Sequence, residues 1–412
     1  MKALFVYFAL FFLIVSRLNG QGFLNVKGVV LDSLTQNPVQ NAWIGIAAKG
    51  ISIISNEEGK FIFKYPAINQ KSKITIAAIG YKNLELNLAD SSFINRDSLF
   101  LVKSPPIILD TAYTNHFKAK WVVNDALLRV KANAQSNNYM LNGFYQETLF
   151  RDSMYVKIYE GMLKVEKSPT LPKVILEDFQ QEKVKMVKAR KYEKTDYTEE
   201  LSNFGFANGP SIVGHSIEIS LPEYLEGNNL DDYEYKLDSL LEIYDNKILW
   251  KIKFEPVANR KVKASRIGSI LIDTLSKAIV KIEYRFTPEG AKDVLRGSLK
   301  SILGGMKTEI GIVYGASVYK SFGDKYYLQD SQLALEAVLK KGKNFKTTAK
   351  LNLHFICNEI LMKYSSIKFE DILASTDDFP MGGKRYEDSI WGNMNYKIPI
   401  NAMREIIIEE KE

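Results

Sequence analysis

The sequence predicts a mainly β protein. An antiparallel β-sandwich over residues 22–102 is followed by a linker at 103–117, then by a larger curved antiparallel β-sheet, half-barrel-like with a few helices, over 118–412. Three observations predict it. Short β-branched runs alternate with turn residues between Val26 and Val102. From Tyr139 onward, longer runs alternate apolar and polar side chains and are joined by short turns. Helical periodicity is confined to a few stretches.

The composition suits such a fold. Apolar residues make up 46% and charged residues 25% of 412, with 25 Gly and 12 Pro, which excludes collagen-like and disordered chains. The first 21 residues read as a signal peptide: Lys2, an unbroken apolar run from Ala3 to Val15, then small and polar residues up to Gly20 and Gln21. That run of 13 residues is short for a bilayer span, which needs about 20. A retained membrane anchor is the alternative. With no Cys near the cleavage point, a lipid-anchored lipoprotein is disfavoured. The lone Cys357 gives an exported chain no disulfide framework, so folding must be driven by its core. No later window is apolar enough to predict a transmembrane helix in the mature chain.

The formal charge is +7, and removing Lys2 and Arg17 leaves +5. Basic and acidic residues are interleaved, as in "QQEKVKMVKARKYEKTDYTEE", which is the pattern of a solvated face and predicts no nucleic-acid partner.

In the first region "NVKGVVLD" is a strand, and Asn37-Pro38 marks the turn after it. "WIGIAA" and "ISIIS" follow around Gly50. Glu58-Gly59 supplies a residue that tolerates positive φ before "KFIFKYP", where Phe61 and Phe63 share one strand face. "KITIAAIGY" and "LELNL" close the set.

Asp32, Thr35, Pro38, Val39 and Ala42, then Gly50, Ser55, Asn56, Glu58, Gly59 and Phe61, then Gly80-Tyr81, carry a resemblance to the carboxypeptidase-regulatory-like domain. Its stretches read approximately D-x-x-T-x-x-P-L-x-G-A, T-D-x-x-G-x-F and G-Y. Asn41 departs from the usual Gly, and Ser55-Asn56 from a frequent Thr-Asp, each with a turn-tolerant residue. The resemblance implies a transthyretin-like sandwich that does no chemistry and begins exported proteins of Gram-negative envelopes, including many TonB-dependent transporters. The residues beyond the linker are too few for a plug and a large barrel.

Beyond the linker, Trp121, Val122, Ala126, Leu127 and Val130 fall near one face of an amphipathic helix. "YMLNGFYQETLF" and "MYVKIYEGMLKVE" straddle an Arg-Asp-Ser turn and predict a hairpin. Strands follow at "HSIEISL", "YEYKLDSLLEIY", "KILWKIKFEP", "RIGSILID", "KAIVKIEYRF", "TEIGIVYGASVYKSF", "KYYLQDSQLALEAVL" and "FKTTAKLNLHFICNEI", with turns at Asp245-Asn246 and Gly323-Asp324. "PEGAKDVLRGSLKSIL", with Pro288 near its start, and "PINAMREIIIEE" read as helices. The order of elements is similar to exported proteins that pair the regulatory-like module with a curved β domain. In the wider class of lipoprotein-carrier half-barrels such a sheet holds an acyl chain.

The resemblance invites a search for zinc ligands, and His215 and Glu218 form an H-x-x-E. Their surroundings read as a strand, where residues three apart point to opposite faces. His354 lies 139 residues beyond His215. In "LNLHFICNEI" the alternation places Leu351, Leu353, Phe355 and Cys357 in the core and Asn352, His354 and Asn358 on the surface of the sheet. Neither G-x-S-x-G nor a phosphate loop is present, "ILGGMK" reading as a helix cap and turn. No catalytic, cofactor-binding or metal residues are predicted. The expectation is a non-enzymatic binding or assembly protein at the periplasmic or outer-membrane surface, with an envelope protein as partner and peripheral membrane association. A carrier of lipid or another apolar ligand is the alternative, and a zinc carboxypeptidase acting through Glu218 comes last.

Overall fold

The computed structural model describes residues 22–90, 97–152, 154–169, 182–194, 222–296, 307–341, 345–373 and 388–409. The signal segment, His215 with Glu218, and the "ILGG" stretch lie outside these residues.

The first region is a two-layer sandwich. One sheet contains β1 (Phe23–Asp32), β4 (Lys60–Pro66) and β7 (Ser98–Leu101), ordered β4-β1-β7. The other contains β2 (Trp43–Ile46), β3 (Ile51–Ile54), β5 (Lys73–Ala77) and β6 (Leu84–Asn87), ordered β6-β5-β2-β3. β7 departs from the expected antiparallel pattern. It reaches the first sheet after β6 of the second and so runs parallel to β1.

Turn residues in this region are fixed by hydrogen bonds. Asp32 Oδ1 accepts the N–H groups of Leu34 and Thr35, each at 2.9 Å, and Oδ2 accepts the Tyr81 hydroxyl at 2.9 Å. These bonds, led by that from Thr35, hold the Asp32 carboxyl below the usual range. Asn41 takes φ +54°, a left-handed conformation that Asn tolerates. A Cβ on Gly59, whose φ is +73°, would lie 2.5 Å from the Val30 carbonyl oxygen. Phe61, Phe63 and Tyr65 alternate inward and are buried, as period 2 requires.

Residues 103–117 are tied down along their length. Lys103 bridges to Tyr81. β8 (Ile107–Ile108) pairs with Leu240–Leu241, and α1 spans Thr111–His116. Next come α2 (Ala119–Leu128) and α3 (Val130–Asn133). The buried face of α2 is Ala119, Val122, Val123 and Ala126, whereas Trp121 is 63% exposed. Of the expected face Val122, Ala126 and Val130 are buried and Leu127 is half-buried, so only Trp121 departs from it.

The large sheet is an antiparallel series that does not close into a barrel. β9 (Tyr139–Arg151) and β10 (Met154–Lys167) form the expected hairpin around Asp152, and β11 (Glu182–Glu193) flanks β10. β14 (Lys247–Pro256), β15 (Arg266–Asp273), β16 (Ile279–Phe286), β17 (Lys307–Phe322), β18 (Lys325–Lys341) and β19 (Phe345–Leu361) form a meander. Its last strand returns to pair with β9. The run expected as one strand at 233–244 is two, β12 (Tyr233–Leu237) and β13 (Leu240–Tyr244), lying end to end along β14. The break falls at Asp238, whose carboxylate accepts the Leu240 N–H and meets Lys253 at 2.8 Å. Asp245 and Asn246 both have positive φ, the signature of a type I′ hairpin turn. The helices α4 (Pro288–Arg296) and α5 (Asn401–Glu409) lie where they were expected.

The two regions share a sheet. β3 meets β19 at Ile51 and Glu359, Ile360 N–H donates to the Gly50 carbonyl at 3.1 Å, and the Ser52 hydroxyl donates to the Cys357 carbonyl at 3.2 Å. The segment 388–398 then crosses the outer face of β9, β10 and β19. Trp391, fully buried, packs edge-on against Phe144 at 5.7 Å. Asn358 Nδ2 donates to Asn395 O at 2.5 Å, and Asn56 Nδ2 to Ile398 O at 3.2 Å.

Candidate functional site

Registers across β12 and β14–β17 place one set of residues on a single face. Leu237, Ile252, Ile270 and Ile282 are successive partners in one row, with Trp250, Ile272 and Ile279 in the next. In the other direction the row is Tyr235, Phe254, Gly268, Tyr284 and Gly315, and beyond it Arg266 faces Phe286. The face therefore grades along the strands from aliphatic to aromatic to cationic. α2 roofs the aliphatic end with Ala119, Val122, Val123 and Ala126. The short 3₁₀ turns Glu223–Leu225 and Gly227–Asp232 bring Tyr224 and Leu230 over the aromatic end.

The cationic end has a defined geometry. The Arg266 guanidinium lies 4.4 Å from the ring centre of Phe286, 4.6 Å from Tyr224 and 5.4 Å from Tyr284. Tyr224 also stacks on Phe254 at 5.6 Å. Gly268 and Gly315 make room for this packing, since a Cβ on Gly315 would lie 2.5 Å from the Tyr284 ring. Burial raises Tyr224 well above the usual phenol value, and it raises Tyr235 too, so both hydroxyls keep their protons.

A second unusual group lies in the main core. Glu147 on β9 is 6% exposed among Tyr145, Leu149 and Leu353, and accepts the Tyr145 hydroxyl at 2.6 Å. Burial pushes its carboxyl up to about 7, against the Tyr145 hydrogen bond and the charge of Lys157. A third feature is a cavity of about 30 Å³, enough for a water molecule, between Trp43, Ser52, Lys320, Tyr327, Gln329 and Cys357. Lys320 Nζ sits 4.3 Å from the Trp43 ring centre and 2.7 Å from Asp245 Oδ2, so it joins the two regions.

His354 and Cys357 do not come together as a reactive pair. Cys357 is buried as expected, and burial pushes its thiol up to about 12. His354, expected on the surface, is 7% exposed, because Lys397 and Glu57 cover that face of β19 with an ion pair of 2.6 Å. Its Nε2 lies 3.1 Å from Gln332 Nε2 and 3.6 Å from Asp330 Oδ1, and burial lowers its proton affinity. Among the described residues no three His, Cys, Asp or Glu side chains gather as metal ligands. Sequence reading missed Arg266 and its tyrosines. The available signal was phase: Tyr233, Tyr235 and Leu237 alternate in "YEYKL", and Arg266 shares the phase of Ile270 and Ile272.

No family model matches the chain, and no curated protein matches it. Among solved structures, a DUF1329 family protein from Desulfovibrio piger aligns at 9% identity and a TM-score of 0.26, covering 57% of this chain and 92% of that one. A putative outer membrane lipoprotein-sorting protein domain from Vibrio parahaemolyticus aligns at 8% identity and a TM-score of 0.23, covering 62% and 95%. A LolA superfamily protein from Nitrosomonas europaea aligns at 6% identity and a TM-score of 0.20, covering 59% and 94%. At such values these likenesses carry no functional argument.

Proposed function

We propose that the chain is an exported, non-enzymatic binding protein of the cell envelope, acting at the periplasmic or outer-membrane surface, and that the sheet face beneath α2 receives an apolar ligand. The observation that carries this is the graded face itself, an aliphatic floor that leads to aromatic rings. Its roof is weakly committed. α2 fully buries only Ala and Val side chains against the floor, with Leu127 half-buried beside them, so lifting it uncovers less apolar area than a helix anchored by a fully buried Leu or Phe would. A ten-residue helix is also marginal on its own. Address rests on the signal-like N-terminus and the carboxypeptidase-regulatory-like motif, and among the described residues no helix is long and apolar enough to cross a membrane.

A ligand-binding role fits the edges better than assembly by strand addition. Among the described residues β11 pairs only with β10, and its outer edge carries the lysine-rich run "EKVKMVKARKYE", which discourages a further strand. Native mass spectrometry of the protein from the membrane fraction, compared with its denatured mass, tests the reading. A noncovalent lipid-sized adduct, lost on substituting Val123→Glu under α2, is the expected result. A bare native mass, together with no binding of the neutral probe N-phenylnaphthylamine, would overturn it.

A further inference from the structure

We infer that Arg266, with the hydroxyl of Tyr224, forms a binding site for an oxyanion, a carboxylate or phosphate. The inference rests on the ligand-binding reading above and names the head group of that ligand.

Four buried cations meet carboxylates. Arg190 has Glu160 at 2.6 Å and Asp388 at 2.9 Å, Lys320 has Asp245, Lys397 has Glu57, and Lys167 pairs with Glu182. Arg266 meets aromatic rings instead, and among the described residues no carboxylate pairs with it and its buried Nε has no hydrogen-bond partner. Acids close in sequence are engaged elsewhere. Asp232 pairs with Arg260 at 3.1 Å, Asp231 with Lys120, and Asp293 accepts the Ala264 N–H.

The surrounding hydroxyls are similarly unspent. Tyr224 is 4% exposed, and neither its hydroxyl nor that of Tyr235 finds a partner among the described residues. The Tyr233 hydroxyl sits beside Arg266, close enough to interact with its backbone N–H and its side chain. A buried polar atom without a partner is costly, which here means the Nε of the half-buried Arg266 and the Tyr224 hydroxyl. One anion would answer both, because guanidinium and phenol are all donors at neutral pH. A cation is excluded by charge, and an uncharged alkyl group would leave the Arg266 Nε and the Tyr224 hydroxyl unmet.

Isothermal titration of the mature protein tests this with three probes: dodecyl phosphate below its micelle concentration, dodecyl maltoside as a neutral chain, and inorganic phosphate. The expected result is dodecyl phosphate binding at least about tenfold tighter than dodecyl maltoside, with that advantage lost in Arg266→Gln. Tyr224→Phe keeps the ring packing and removes only the hydroxyl, and it should weaken dodecyl phosphate alone. It also serves if Arg266→Gln fails to fold. Equal affinity for both alkyl probes would overturn the anion site and leave the apolar-ligand reading standing. Inorganic phosphate binding as tightly as dodecyl phosphate would keep the anion site and sink the apolar-ligand reading. Binding of no anion would overturn the inference outright.

Discussion

Replacing Glu147 with glutamine will flatten the pH dependence of stability between pH 4.5 and 7. In the folded protein, burial raises this carboxyl from the usual 4.5 to about 7. Because the folded value exceeds the unfolded one, the native state binds more protons within that window. Its contribution is fully present below pH 4.5 and is lost as pH rises through 7. At about 1.4 kcal/mol per pH unit, the rise corresponds to about 3 kcal/mol. The amide introduced by Glu147→Gln would still accept the Tyr145 hydroxyl but carries no charge to bury. Urea unfolding of both proteins at pH 4.5, 5.5, 6.5 and 7.5, at fixed ionic strength, measures the effect, and taking the difference cancels every other titrating group. The wild type should lose about 3 kcal/mol relative to the variant across the series. A difference that stays constant with pH would refute the reasoning.

Arg190 and Glu160 are both fully buried, so Arg190→Met alone should cost about 3–5 kcal/mol in urea unfolding, and Glu160→Leu with Arg190→Met should recover most of it. Equal instability of the single and double variants would show that packing on Trp391, 5.0 Å away, outweighs the charge pair. Gly143→Ala should destabilise by about 1–3 kcal/mol, since its Cβ would lie 2.3 Å from Phe355 Cε2. Gly311→Ala, with its nearest neighbour at 3.4 Å, should stay within about 0.5 kcal/mol in the same assay. Similar losses at both glycines would contradict the close packing of β9 on β19.

Local chemistry in the sequence was enough to find the hairpin at Asp152, the turn at Asp245-Asn246 and the alternation of Phe61 with Phe63, because each depends on neighbours along the chain. His354 was misplaced for the opposite reason. Strict alternation does put it on the face opposite Phe355, but the cover over that face comes from Lys397 and Glu57, which alternation within β19 does not encode. Trp121 was misplaced because helical spacing sets it beside Val122, whereas the buried stripe of α2 runs through Ala119, Val122, Val123 and Ala126. Arg266 required the strand registers. Its phase with Ile270 and Ile272 is visible in the sequence, but only the registers set it opposite Phe286, whereas Arg260 pairs with Asp232.

The pairing of β9 with β19 also governs when the protein can fold. Thr148 and Asn352 face each other across 204 residues of chain, and β19 borders β18, β9 and β3 alike. Closing a loop of that length comes late and slowly. Until residue 345 has been synthesised, both the β9–β10 hairpin and the sandwich edge at β3 keep bare backbone, the condition in which strands recruit wrong partners. A chain cut short before residue 345 therefore keeps two bare edges rather than being a slightly shortened protein.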